Sequence, residues 1–189
     1  MQSTPDTRAW IDPTASVHPS ARVGPFAVIH AGAMVGAECT IGSHAVIHAG
    51  TRIGAGVRID DHAVIGKLPM RAARSAITRQ AEELPPATIG DGCLVGTHAV
   101  IYAGASIGEK VLVADLATIR EHVTVGAMTI VGRGVAIENL CTIGARCKLE
   151  TGSYVCALSE PEIIASPGAP ADVAEGFQRD GVHTLRADS

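Results

Sequence analysis

Eight histidines, five cysteines and a short run of arginines are the side chains of this 189-residue chain best able to do chemistry. Histidine can ligate a metal or act as a base near neutrality. Four of the eight, His44, His62, His98 and His122, recur at one position of a short repeat, which suits bend formers as well as ligands. The cysteines, Cys39, Cys93, Cys141, Cys147 and Cys156, are odd in number and contain no C-x-x-C pair. That is a poor disulfide framework and a poor zinc signature. Residues 67–87, KLPMRAARSAITRQAEELPPA, carry Lys67, Arg71, Arg74 and Arg79 against Glu82 and Glu83. Guanidinium binds phosphate bidentately, so Arg71 and Arg74 are candidate contacts for a phosphorylated ligand. A merely solvated loop is the competing reading.

Composition narrows the classes. Hydrophobic residues make up 47% of the chain, yet the aromatic ones are only Phe26, Phe177, Tyr102, Tyr154 and Trp10. A core of Ile, Val, Leu and Ala must have an even, narrow cross-section. A net charge of -4 and three lysines argue against a general nucleic-acid binder and against a polybasic membrane patch. No apolar run approaches the roughly 18 residues of a membrane span. The opening MQSTPDTRAW lacks the apolar core of a signal peptide. These features predict a soluble, cytoplasmic protein.

The element that positions the candidates is a hexad. Ile, Val or Leu stands at every sixth residue from Ile11 to Ile65. The pattern breaks over 67–87, then resumes in phase from Ile89 to Val155. Four residues after the aliphatic comes a small one, such as Ala27, Cys39, Ala45, Cys93, Cys141 or Cys147. Four of the five cysteines therefore read as small core residues. Three residues after the aliphatic the type is often Gly or His, both at home with positive φ. Two buried sites per six residues, separated by a bend, describe a short strand that turns and continues. Three strands and three bends return the chain above its start, with coils about 4.8 Å apart.

With three hexads per coil and 67–87 as an excursion from one corner, one face gathers Ile11, Ile29, Ile47, Ile65, Ile101, Ile119, Ile137 and Val155. Strand neighbours alternate, so the next residue points outward. On the other two faces that residue is mostly Gly. On this one it is Asp12, His30, His48, Gly66, Tyr102, Arg120, Glu138 and Cys156. One face thus carries a stripe of polar side chains, His48 and Tyr102 among them. It reads as a substrate groove and subunit interface, or else as an ordinary solvent face.

The hexads IGSHAV, VGTHAV and IGARCK resemble those of the hexapeptide-repeat acyltransferases. The resemblance covers residues 11–160 and implies an all-β, left-handed parallel β-helix of about seven triangular coils, an exception to right-handed crossovers. It divides the chain into an N-terminal extension (1–10), the β-helix with excursion loop 67–87, and an irregular or partly disordered tail (161–189). The opening IDPTASVHPSARVGPFAVI is similar to sugar-nucleotide acyltransferases of the lipid A type. The segments ADLATIREHVTVG and VAIENLCTIGARCKLETGSYV look more like the 3-amino-sugar N-acetyltransferases.

That likeness implies a homotrimer that acetylates the amino group of a nucleotide-linked amino sugar for surface polysaccharide or glycan biosynthesis. Acetyl-CoA is then the co-substrate, and no metal is implied. In lipid A-type enzymes a His-Asp pair precedes such a T-V-G, whereas Glu121 and His122 stand there in this chain. The amino-sugar enzymes instead have a segment like D-x-A-x-I-R-E, which maps onto Asp115 through Glu121. An amine attacks once neutral and must afterwards shed one proton, which Glu121 or His122 could accept. Asp115 and Arg120 belong to that segment as substrate contacts, and Tyr102 and Asn139 are candidates for hydrogen bonds to sugar hydroxyls. O-acylation of a sugar nucleotide from acyl carrier protein is the alternative. A γ-type carbonic anhydrase, whose Arg-Gly-Asp segment is missing, and a non-catalytic trimeric scaffold are further ones.

Overall fold

The computed structural model describes residues 8–70 and 83–156, and beyond them the backbone of three short strands. The hexad is one strand and one bend throughout. Two-residue strands such as Val28–Ile29, Met34–Val35 and Thr40–Ile41 lie on three successive faces, and each pairs in parallel with the strand one coil away. The first and second faces are eight-stranded sheets and the third is seven-stranded. The triangular parallel solenoid expected from the repeat is therefore formed, and the described residues contain no helix. In the tail, Ile163–Ile164 adds to the second sheet, and Glu175–Arg179 pairs antiparallel with Val182–Arg186.

Alternation along each strand builds the core. In Ala27-Val28-Ile29 the outer two residues are buried and the middle one is half-buried. Ile29, Ile47, Ile65, Ile101, Ile119 and Ile137 stack in one column, all fully buried. Cys39, Cys93, Cys141 and Cys147 are buried free thiols in the small-residue column. Burial pushes the thiols of Cys39, Cys93 and Cys147 upward, so they act as packing groups. Replacing Ile101 by Ala leaves a cavity between two neighbouring coils that cannot collapse onto it. A loss of about 2–5 kcal/mol is expected, read from denaturant unfolding. Thr124→Ala, at an exposed position of the second face, is expected to stay within about 0.5 kcal/mol of the parent.

The bends take the form predicted for the third-offset column. His44, His62, His98 and His122 have φ between 58° and 60°. The bend N–H reaches back one coil, as from His62 to the Ser43 carbonyl at 3.0 Å. The aliphatic is followed by Gly on most hexads of the second and third faces for a steric reason. A Cβ at Gly36 would lie 2.5 Å from the Gly54 carbonyl oxygen, and one at Gly42 would lie 2.6 Å from backbone atoms of Asp60 and Asp61. Large side chains at this offset collect where the first face turns into the second. That edge carries the polar stripe.

Candidate functional site

The excursion leaves and re-enters at the same edge. Strand Val64–Lys67 has four residues against two in Val46–Ile47 and three in Val100–Tyr102, and its register against the latter shifts between Ile65 and Lys67. Gly66 sits in this bulge at φ 80°, and a Cβ there would collide with the Thr51 side chain. The bulge brings Lys67 into register with Tyr102 on the next coil, and the Lys67 carbonyl accepts from Ala103 N at 2.9 Å. On the return side, the Pro85 carbonyl accepts from Gly104 N at 2.7 Å. Thr51 records the disturbance. Its counterpart Thr129 donates to the Gly144 carbonyl at 2.8 Å, but the buried Thr51 hydroxyl has no partner among the described residues.

Tyr102, only 8% exposed, is the centre of the edge. Lys67 Nζ lies 5.3 Å from the ring centroid and the Arg120 guanidinium carbon 5.2 Å from it. One coil further, Arg120 grips the carboxylate of its own neighbour, Glu121. Arg120 Nε donates to Glu121 Oε2 at 2.8 Å, and Arg120 Nη2 donates to Oε1 at 2.9 Å. Arg120 Nη1 also reaches Glu138 Oε2 at 3.4 Å on the following coil. Burial alone would raise the Glu121 carboxyl. The Arg120 hydrogen bonds and charge, with His122 alongside, instead hold it below the ordinary carboxylate value. The same pairing raises Arg120. Glu121 is thus a buried, ionised anchor for Arg120, with both oxygens occupied.

The edge therefore brings together Tyr102, Arg120, Glu121, His122 and Asn139, which the sequence scatters over 38 residues. His48 lies on it two coils below Tyr102, in a stack whose His30 ring is 5.3 Å away and nearly parallel. Burial, then His30 and Lys67, lower the His48 imidazole, which favours its neutral form. Trp10 contacts His30 edge-on at 5.6 Å and ends the stack. Asp115 stands apart. Its carboxylate accepts from Thr97 N at 2.8 Å, the turn-bracing role that Asp61 plays for Ser43 and Asp91 for Ala55. It lies where the third face turns into the first, beside a shallow depression of about 270 Å³ lined by Arg58, Leu94 and Leu112. Arg71 and Arg74 fall outside the described residues.

Three of the four bend histidines, His44, His62 and His98, form a separate ladder on the edge where the third face turns into the first. Phe26, His44, His62 and His98 follow one another at 4.9–5.0 Å between ring centroids. That is the coil spacing: Phe26, His44 and His62 are stacked, His98 is tilted by 58° to His62, and the rings follow one another along the edge rather than surround a common centre. Among the described residues, no group of three or more His, Cys, Asp or Glu is arranged to hold a metal ion. No described helix is long and apolar enough to cross a membrane.

Lys67 and Trp10 are the site residues that residue types alone did not single out. The signal for Lys67 was the Gly-Lys pair where the hexad fails, and for Trp10 the single tryptophan of the chain at the foot of the stripe.

Three comparisons place the fold among known proteins. LpxA from Acinetobacter baumannii superimposes with a TM-score of 0.63 at 21% identity, covering 80% of this chain and 66% of its own. The UDP-N-acetylglucosamine acyltransferase of Campylobacter jejuni gives 0.64 at 20% identity, covering 85% and 69%. That of Francisella novicida gives 0.53 at 19%, covering 85% and 62%. The chain thus spans about two thirds of the length of these structures, and identities this low establish a shared fold. No curated protein matches the sequence. The family model described as the GLGC left-handed parallel beta-helix domain matches residues 25–122, more than half of the chain, and fixes the hand of the solenoid. This chain belongs to that left-handed β-helix family.

Proposed function

We propose that this protein is an acyltransferase that uses acetyl-CoA to acetylate the amino group of a nucleotide-linked amino sugar. The observation that carries this reading is the Arg120–Glu121 fork beside His122 on an edge built around Tyr102. With Glu121 committed to Arg120, the group left to accept a proton is His122. The neutral amine attacks the thioester carbonyl carbon, the C–N bond forms and the C–S bond breaks. Coenzyme A leaves as the thiolate, and the proton shed by the nitrogen passes to His122. An amine needs only this late deprotonation, whereas a hydroxyl must be activated before attack. An ion-paired Glu121 in place of a histidine base suits the amine. The solved structures of the same fold include enzymes named for acylating UDP-N-acetylglucosamine, which supports a sugar nucleotide as acceptor.

Such a product belongs to surface polysaccharide or glycan assembly, in the cytoplasm where acetyl-CoA and sugar nucleotides are made. The edge is convex and has no opposing wall among the described residues, which supports a homotrimer with sites between subunits as the active species. Light scattering that finds only monomer at micromolar concentration would sink the trimer. Coenzyme A release from acetyl-CoA, screened against several nucleotide-linked amino sugars, tests the reaction. Release that depends on a free amino group is the expected result. Turnover only with acyl carrier protein and a sugar hydroxyl would replace this reading with O-acylation, and zinc bound in stoichiometric amount by histidine would contradict it.

A further inference from the structure

The stripe is not uniform along its length. Its lower coils carry rings and an unneutralised cation, Trp10, His30, His48 and Lys67, with one carboxylate, Asp12, turned to the Thr14 hydroxyl at the foot. Among the described residues no carboxylate pairs with Lys67. The middle coils are compensated, since Arg120 is held by Glu121. The next coil presents Glu138, and the exposed Tyr154 follows on the coil after it. An elongated ligand that is anionic and aromatic at one end and basic at the other has one favourable orientation here. From the coil of Trp10 to the coil of Lys67 is three steps of about 4.8 Å, or roughly 14 Å. Trp10 is 49% exposed and still offers ring surface, while His48 and Lys67 offer hydrogen-bond donors.

We infer that the edge from Trp10 to Lys67 is the binding strip for a nucleoside diphosphate. The phosphates sit at Lys67 and His48, and the base lies against Trp10. This rests on the proposed function and adds an orientation to it: the sugar lands at Tyr102 and its amino group points toward His122 and Glu138. An ammonium group is drawn to the Glu138 end, and phosphates are repelled from it.

Trp10 is the only tryptophan, so its fluorescence reports on one end of the strip without a label. The experiment is titration of the full chain with UDP and with dTDP, followed by Trp10 emission and by calorimetry. Saturable change in emission is expected for at least one of them. Inorganic pyrophosphate alone should leave Trp10 emission unchanged, and in excess it should reverse the change that the nucleotide produces. Lys67→Met should weaken nucleotide binding about ten- to hundredfold, the size of a lost charge-assisted contact. Glu138→Gln should leave binding unchanged or tighten it. Circular dichroism of each variant, compared with the parent, confirms that the solenoid is intact. Calorimetric binding with no Trp10 response, or a Lys67→Met affinity within twofold of the parent, would overturn the strip. Absence of calorimetric binding for both nucleotides would overturn it too. The two readings fail separately: nucleotide can bind here without any acetyl transfer, and acetyl transfer can persist with a KM indifferent to Lys67 and Trp10.

Discussion

Replacing His122 by Asn is expected to lower kcat by roughly 10²–10⁴ while the protein stays folded. The substitution respects the backbone. His122 has φ 58°, and Asn is among the few residues that accept that region readily. It removes the imidazole from the edge and leaves Tyr102, Arg120 and Glu121 in place. The loss should therefore appear in kcat with little change in KM, the pattern of a group used mainly in the transition state. Glu121→Gln is the informative partner. If Glu121 anchors Arg120, its loss loosens the guanidinium and raises KM, with kcat reduced less than in the His122 variant. If Glu121 is the proton acceptor instead, the order of the two kcat losses reverses. Near-normal kcat in both single variants and in the double variant would remove protein-based proton acceptance from this bend. Catalysis would then rest on positioning of amine and thioester alone.

These two residues show which part of the site the hexad discloses. A repeat of strict phase assigns every residue a face and an offset, so the stacking of Tyr102 under Arg120 and of Arg120 under Glu138 follows from counting by eighteen. The same count separates the histidines by role. His44, His62 and His98 fall on the bend offset of another edge, and their rings succeed one another at the coil spacing. His30 and His48 fall on the outward offset of the stripe. Residue types alone cannot make that distinction.

Asp115 marks the limit in the other direction. It is five residues from Arg120 in the chain, and its segment resembles one with substrate contacts. Within those five residues the chain crosses the whole first face, from one edge of the prism to the next. Its carboxylate then braces the Thr97 turn. What the repeat could not disclose lies where it breaks. The bulge at Gly66 shifts Lys67 into register with Tyr102, and the orphaned Thr51 hydroxyl is the sign left in the core. A period marks the residue where it is interrupted but does not place it, so the position of Lys67 beside Tyr102 is visible only in three dimensions.

Arg120→Leu is expected to destabilise the solenoid by about 3 kcal/mol at neutral pH, the lower end of the range for breaking a buried pair. The lower end applies because the Arg120 side chain is itself 22% exposed, against 7% for Glu121. The effect comes chiefly from stranding the Glu121 carboxylate away from water rather than from the attraction lost. Its pH dependence identifies the source. In the parent the folded-state pKa of Glu121 lies below its unfolded value. Its contribution is then fully present above the unfolded pKa and is lost as the pH falls through the folded one. In the Leu variant burial acts without the guanidinium, so the folded pKa lies above the unfolded value and the sign inverts. The variant is penalised at neutral pH and relieved as acid protonates Glu121. The gap in denaturant midpoint between parent and variant should therefore narrow steadily on acidification. Adding Glu121→Gln to Arg120→Leu should recover most of the loss at neutral pH, because a neutral amide carries far less desolvation penalty than a carboxylate. A gap that stays constant with pH, or a double variant no more stable than Arg120→Leu, would locate the damage in packing around Tyr102 instead of in the stranded charge.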